Sequence, residues 1–195
     1  MAYDIPPEDF SDHLAEIQHT LPPAFEAFHD LYIKAYLRYA HVMLGDKDAA
    51  IAVVRRCFSH LALNWEQVML SESPEEYAFA LLKQRVDTHL RFLGLNAQMV
   101  ETAAFQRTAG AMLKSMRRQF EVMESSLGLY TAIAALPERQ YDVIVLLYVL
   151  GYPVTKTARI MGIRRETVRS HRSLARRRIA RTLGIRWTAP DQEQE

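Results

Sequence analysis

Apolar and polar positions along this chain repeat with the period of a helix rather than of a strand. From Ala24 to Leu44, Phe25, Phe28, Tyr32, Tyr36, Tyr39 and Met43 return every three or four residues and paint one helix face. Gly45 ends that helix, and Asp46 or Asp48 can cap a second one running to about Met69, with Val53, Val54, Phe58, Leu61 and Trp65 inward. A third opens at Ser73, whose hydroxyl can cap while Pro74 takes the first turn and Glu75 and Glu76 meet the positive helix end; it continues to about Leu93.

After Gly94 the pattern fades into Met, Gln, Thr and small residues, which marks a linker with helical tendency. It returns in a helix from about Gly128 to Ala135. Pro137 then sits in the first turn of a helix carrying Tyr141, Ile144, Val145, Leu147 and Tyr148 inward as far as Gly151. Beyond Tyr152 and Pro153, Thr155 can cap a short helix ending at Met161, Gly162 makes a turn, and a long helix runs from about Arg165 to Leu183. The opening residues are acidic and punctuated by Pro6, Pro7, Pro22 and Pro23, which predicts an arm with a short helix from Ser11 to Thr20. The expected fold is all-α. It divides into an acidic arm (1–23), a three-helix domain (24–93), a linker (94–127), a helix-turn-helix domain (128–186) and an acidic tail (187–195).

Charge changes the picture more than composition does. The net charge is +1, yet the stretch from Thr155 to Arg186 holds eleven Lys or Arg and one acid, Glu166, while the preceding residues hold thirteen bases against nineteen acids. A basic block confined to one bihelical segment is the footprint of a polyanion partner. Its opposition to the acidic remainder predicts that the two halves attract each other at low salt.

The second helix of such a pair lies in the major groove while the first braces it across the phosphates. Ala158, Ile160, Met161, Ile163, Val168, Leu174, Ala175 and Ile179 are the positions that hold the pair together, leaving Arg164, Arg165, Glu166, Arg169, Ser170 and Arg172 near the exposed start of the long helix. Arg165, Glu166 and Arg169 are placed to read bases, since Arg grips guanine and Glu accepts from cytosine. Lys156, Thr157, Arg172 and Arg176 are placed to hold phosphates, and about five neutralised phosphates give a log K versus log salt slope of roughly −4.5. Arg176, Arg177, Arg178 and Arg181 read equally as a solvated helix face. Arg164 stands where a capping side chain is expected, so the helix start is poorly capped.

Catalytic and metal chemistry find no foothold. The seven histidines show no ligand spacing beside a carboxylate or cysteine, and there is no glycine-rich phosphate loop, G-x-S-x-G elbow or Cys-His arrangement. No enzyme activity, metal or cofactor is expected. A lone Cys57 beside Phe58 reads as a small buried hydrophobe, and with no basic, apolar leader or long apolar span the expected location is cytoplasmic, with no membrane partner.

The segment Leu136 to Leu183, LPERQYDVIVLLYVLGYPVTKTARIMGIRRETVRSHRSLARRRIARTL, resembles region 4 of bacterial sigma factors of the extracytoplasmic-function group. The LPERQ opening, the aliphatic helix, the Gly-Tyr spacer and G-I-x-x-x-T-V-R-S carry the likeness. Ala27 to Phe58, AFHDLYIKAYLRYAHVMLGDKDAAIAVVRRCF, resembles region 2 of the same family. The resemblance implies that Arg165, Glu166 and Arg169 face minus 35 promoter bases. It also implies that the protein recruits RNA polymerase core through the β′ clamp helices and the β flap, and that an anti-sigma factor is a potential partner. In the family the second helix docks on the clamp helices with an acidic pair followed by Gln-Glu; here Ile51, Ala52, Arg55 and Arg56 stand there. For minus 10 DNA the resemblance points to Tyr77, Phe79, Lys83 and Arg91. Tyr77 and Phe79 can stack on flipped bases or fill the core, and Lys83 and Arg91 can touch phosphate or stand exposed. Two rival readings remain: a sigma-like DNA-binding regulator without productive core binding, motivated by the altered second helix, and a protein-interaction module on the same fold.

Overall fold

In the computed structural model, which describes residues 21–94 and 132–184, every regular element is helical. The expectations for the arm up to Thr20, the linker beyond Gly94, the helix start at Gly128 and the acidic tail lie outside the described residues.

α1 (Pro23–Leu44) begins with proline in its first turn and ends on Gly45, whose φ of 72° lets its N–H reach the His41 carbonyl at 2.9 Å. Asp46, rather than Asp48, caps α2 (Lys47–Leu63): its carboxylate accepts from the Ala49 N–H at 2.6 Å. The second helix does not run unbroken to Met69. Asn64 leaves helical geometry, its side chain donates to the His60 carbonyl at 2.8 Å, and a separate short α3 (Trp65–Met69) follows. Beyond the break, the Trp65 ring lies edge-on to Phe25 with centroids 5.2 Å apart. α4 (Pro74–Phe92) starts as its sequence requires, with Ser73 Oγ accepting from the Glu76 N–H at 3.2 Å.

α5 (Glu138–Ile144) passes into a wider π-helical turn over Val145–Val149, so the expected single helix to Leu150 changes winding halfway. α6 (Val154–Met161) begins after Pro153 with no side-chain cap; Thr155 lies inside the helix and does not cap it. Gly162, at φ 64°, turns the chain into α7 (Arg165–Thr182).

α1 packs along α2, and α4 lies against both; α4 also lies against α6, while α7 packs on α5 and α6. The apolar interior is continuous across these contacts. Tyr36, Tyr39, Phe58, Phe79 and Leu82 from the first part meet Val143, Leu146, Met161 and Val168 from the second within one cluster. A smaller cluster of Ile133, Leu136, Ile144, Ala175 and Ile179 ties α7 to α5. Leu174, expected inside, is 39% exposed: it lies one position short of the Val168–Ala175–Ile179 stripe that faces inward.

Where the two parts meet, polar contacts gather on Asp142. Asp142 is only 2% exposed; it accepts from the Tyr39 hydroxyl at 2.9 Å and from Lys83 Nζ at 2.6 Å, and Lys83 also pairs with Glu138. Burial pushes the Asp142 carboxyl up from its ordinary value, with Lys83 and Tyr39 pulling it back. At the rim Arg139 pairs with Glu76, and Ser73 Oγ, already capping α4, donates to the Gly162 carbonyl at 3.3 Å.

Candidate nucleic-acid interface

The turn between α6 and α7 needs a residue in the left-handed region, and Gly162 supplies it without steric cost. Thr157, Ala158, Ile160, Met161 and Val168 are then buried between the helices, so α7 is held rigidly by its inner stripe. Its leading end is turned outward. Arg164, Arg165, Glu166, Arg169 and Ser170 are all exposed, and Arg172 is half-buried. Arg164 holds the capping position with extended backbone (φ −70°, ψ 150°) and no side-chain cap, so the first amides of α7 keep no partner from that side chain. Glu166 sits in the first turn, where it favours the positive helix end, and lies 3.8 Å from Arg169.

Arg165, Arg169, Arg172 and Arg176 fall at intervals of four, three and four residues, along one side of α7. Arg176 is not a surface cation: it is 6% exposed, with its guanidinium over the Tyr148 ring, 5.5 Å from the centroid. Thr157 is also misassigned as a phosphate ligand, since its side chain is fully buried against the α6–α7 core. Lys156 remains exposed, Nζ lying 4.2 Å from the Tyr152 centroid, a position that leaves the ammonium at the surface on the braced side of the pair. Arg177, Arg178 and Arg181 are exposed on the flank of α7, and Arg159, which the sequence reading passed over, is exposed on α6 three residues from Lys156. Its i, i+3 relation to Lys156 was the available signal.

His171 lies half-buried on α7, and burial and the nearby Arg139 lower its pKa. The lowered pKa favours its neutral form, which adds no cation to the face.

On the other half, the residues grouped for minus 10 DNA separate. Phe79 is 4% exposed, with its ring 5.1 Å from Tyr39 and 6.3 Å from Tyr36; it is core and has no free face for a base. Tyr77, two residues earlier and so on another side of α4, is 42% exposed. Lys83 is taken by Asp142 and Glu138, and Arg91 pairs with Asp87 one turn away. Ile51, Ala52, Arg55 and Arg56 are together on the exposed side of α2. Cys57 is fully buried, and burial lifts its thiol to about 12, which leaves it unreactive. Among the described residues no three His, Cys, Asp or Glu gather as a metal-ligand set, and no helix is long and apolar enough to cross a membrane.

Residues 126–179 match the family described as sigma-70, region 4. Two curated relatives, the ECF RNA polymerase sigma factor SigM of Mycobacterium tuberculosis strains ATCC 35801 / TMC 107 / Erdman and ATCC 25618 / H37Rv, are 36% identical over 62 residues. That stretch is 32% of this chain and 32% of each relative, so the chain matches about a third of their length. Among solved structures, the sigma factor RpoE of Bartonella quintana, in co-crystal with the anti-sigma factor NepR, overlaps 84% of this chain and 99% of its own at a TM-score of 0.42 and 16% identity. The C-terminal helix-turn-helix, whose buried stripe and outward arginines are described above, thus lies in the segment that matches sigma-70 region 4, in a chain similar to sigma factors of the extracytoplasmic-function type.

Proposed function

We propose that this protein acts in transcription initiation, reading the minus 35 element of a promoter through the leading end of α7 and bringing core RNA polymerase to it. The observation that carries the reading is the outward group of Arg164, Arg165, Glu166 and Arg169 at the start of a helix whose opposite side is locked into the core. Arg165 and Arg169 are the guanine readers in this assignment and Glu166 the cytosine acceptor; Lys156, Arg164 and Arg172 hold phosphate, with Ser170 at the edge of the groove. Of the two aromatic residues assigned to minus 10 DNA, Tyr77 is the one with an exposed ring for an unstacked base, and Lys83 and Arg91 can serve a phosphate only after leaving their carboxylate partners. An anti-sigma partner belongs to the same reading.

Run-off transcription with core polymerase, this protein and genomic fragments tests the proposal. Specific transcripts that vanish with Arg165→Ala and Arg169→Ala support it; duplex binding untouched by both substitutions would refute it. A second reading, a DNA-binding regulator that does not engage the polymerase core, is favoured by one feature. The exposed side of α2 presents Arg55 and Arg56 beside Ile51 and Ala52, so a basic partner surface would meet like charge there. Retention of core polymerase on the immobilised protein decides between the two.

A further inference from the structure

We propose that the acidic segment ahead of α1, residues 1–20, docks along the outer side of α2 and seats its carboxylates on Arg55 and Arg56. The inference stands independently of the DNA-reading function proposed above. Three observations point to this pairing.

The first is a face without a partner. Ile51, Ala52, Arg55, Arg56 and Leu63 are exposed along α2, away from the buried stripe of Val53, Val54, Cys57 and Leu61. Leu63 is 74% exposed and Ile51 39%, so apolar surface stands at both ends of the arginine pair. Among the described residues no carboxylate pairs with either arginine. A partner that suits this face brings carboxylates interleaved with apolar side chains.

The second is the chemistry of the segment. Residues 1–20 hold five carboxylates, Asp4, Glu8, Asp9, Asp12 and Glu16, and no Lys or Arg. Phe10, Leu14 and Ile17 recur among them at intervals of four and three residues, the spacing of one helix face. The outer side of α7 is richer in arginine, but Leu174 is its one exposed large apolar residue, so α2 is the better match.

The third is reach. Leu21 packs against the core, and the Phe25 ring meets the Phe58 and Trp65 rings, so the segment leaves the fold beside the C-terminal end of α2. Arg55 lies eight residues back from Leu63, about 12 Å at the helical rise, and Asp12 nine residues back from Leu21, about 14 Å for a helical segment. Running alongside α2, the segment brings Ile17 and Leu14 toward Leu63, Asp12 and Glu16 to the arginines, and Phe10 toward Ile51. Apolar contact supplies the burial and the charge pairs set the register. Asp4, Glu8 and Asp9 stay outward, so docking turns a cationic side of α2 into an anionic one. The conflict of Arg55 and Arg56 with a basic partner therefore belongs to the undocked face.

Paramagnetic relaxation in the full chain tests the docking, with a spin label on Ser11→Cys and Cys57 buried beyond labelling. Amide signals from Ile51 to Ser59 are expected to lose intensity until the label is reduced, while those of α7 keep theirs. Arg55→Glu with Arg56→Glu is expected to restore the α2 signals. Adding Asp12→Arg with Glu16→Arg faces opposite charges once more at the wild-type net charge, and is expected to remove them again. Full α2 intensity in the labelled protein with both arginines present overturns the proposal, as does a loss that ignores their reversal. Signals lost along α7 instead of α2 overturn it too, and assign the segment to the arginines of the long helix.

Discussion

At the scale of single residues, two glycines in the same backbone region separate conformational strain from contact. Gly45 has φ 72° with nothing within 4 Å of an added Cβ; Gly162 has φ 64° with the start of α4 against it. Gly45→Ala should therefore cost only the left-handed penalty, about 1–2 kcal/mol. Gly162→Ala should cost clearly more, and the difference between the two urea midpoints measures the pressure of α4 on the turn. Equal losses would mean that the contact yields freely. His171 gives a residue-level pH dependence. Its folded pKa lies below the unfolded value of 6.5, so its contribution to stability is complete above that value and is lost as pH falls through the folded pKa. The melting temperature should fall on acidification below about 6.5, and His171→Gln should flatten that part of the profile. Asp142 was legible only as a lone carboxylate in the otherwise apolar run that follows it, Val143 to Leu150. Its partners Tyr39 and Lys83 lie 103 and 59 residues away, distances over which helical periodicity carries no information.

Elements were the most legible scale, because two of the helix starts are written in short-range capping chemistry. Ser73 with Pro74, and Asp46 with its acceptor reach to Ala49, need only local sequence to be read, and both act as expected. The break at Asn64 and the π-helical turn over Val145–Val149 were not readable. Both lie beside residues that meet distant neighbours, Trp65 with Phe25 and the Val145–Leu146 pair in the shared interior, which the local pattern does not name. The missing cap on α7 was readable, and it leads to an opposed pair of effects. Arg164→Ser should supply the cap and raise stability by about 1 kcal/mol, within the usual capping range, while removing one phosphate contact and weakening duplex binding uniformly across sequences. Thermal melts and competition binding on matched and scrambled duplexes read the two effects separately. Arg165→Ala and Arg169→Ala should instead cost roughly 1–3 kcal/mol of discrimination at one base pair each, visible as a preference lost only at that pair. Losses spread evenly over all sequences would reassign these arginines to phosphate.

For the whole molecule, charge patterning pointed to attraction between the two halves but did not reveal the apolar interior that they share. The acidic first part and the basic α6–α7 block suggested screening-sensitive attraction, yet the junction is built from Tyr39, Phe79, Val143, Leu146 and Met161 around a buried ion pair, with Lys83–Glu138 and Arg139–Glu76 bridging nearer the rim. Ions screen exposed charges separated by more than a Debye length of about 8 Å at physiological strength, and they reach a buried pair poorly. Two salt dependences should accordingly part company in one sample series. The radius of gyration of the free protein should stay constant from low salt to about 1 M, while urea expands it in one cooperative step because both halves share an interior. Duplex binding should weaken steeply over the same range. With Thr157 and Arg176 withdrawn into the fold, three or four phosphates remain for Lys156, Arg164, Arg172 and a flanking arginine of α7, which sets the log–log slope near −3 rather than −4.5. Small-angle scattering and fluorescence titration measure the two quantities. A radius that grows with salt would return the junction to surface electrostatics, and a slope as steep as −4.5 would mean that the buried Arg176 turns out to meet the backbone of the duplex.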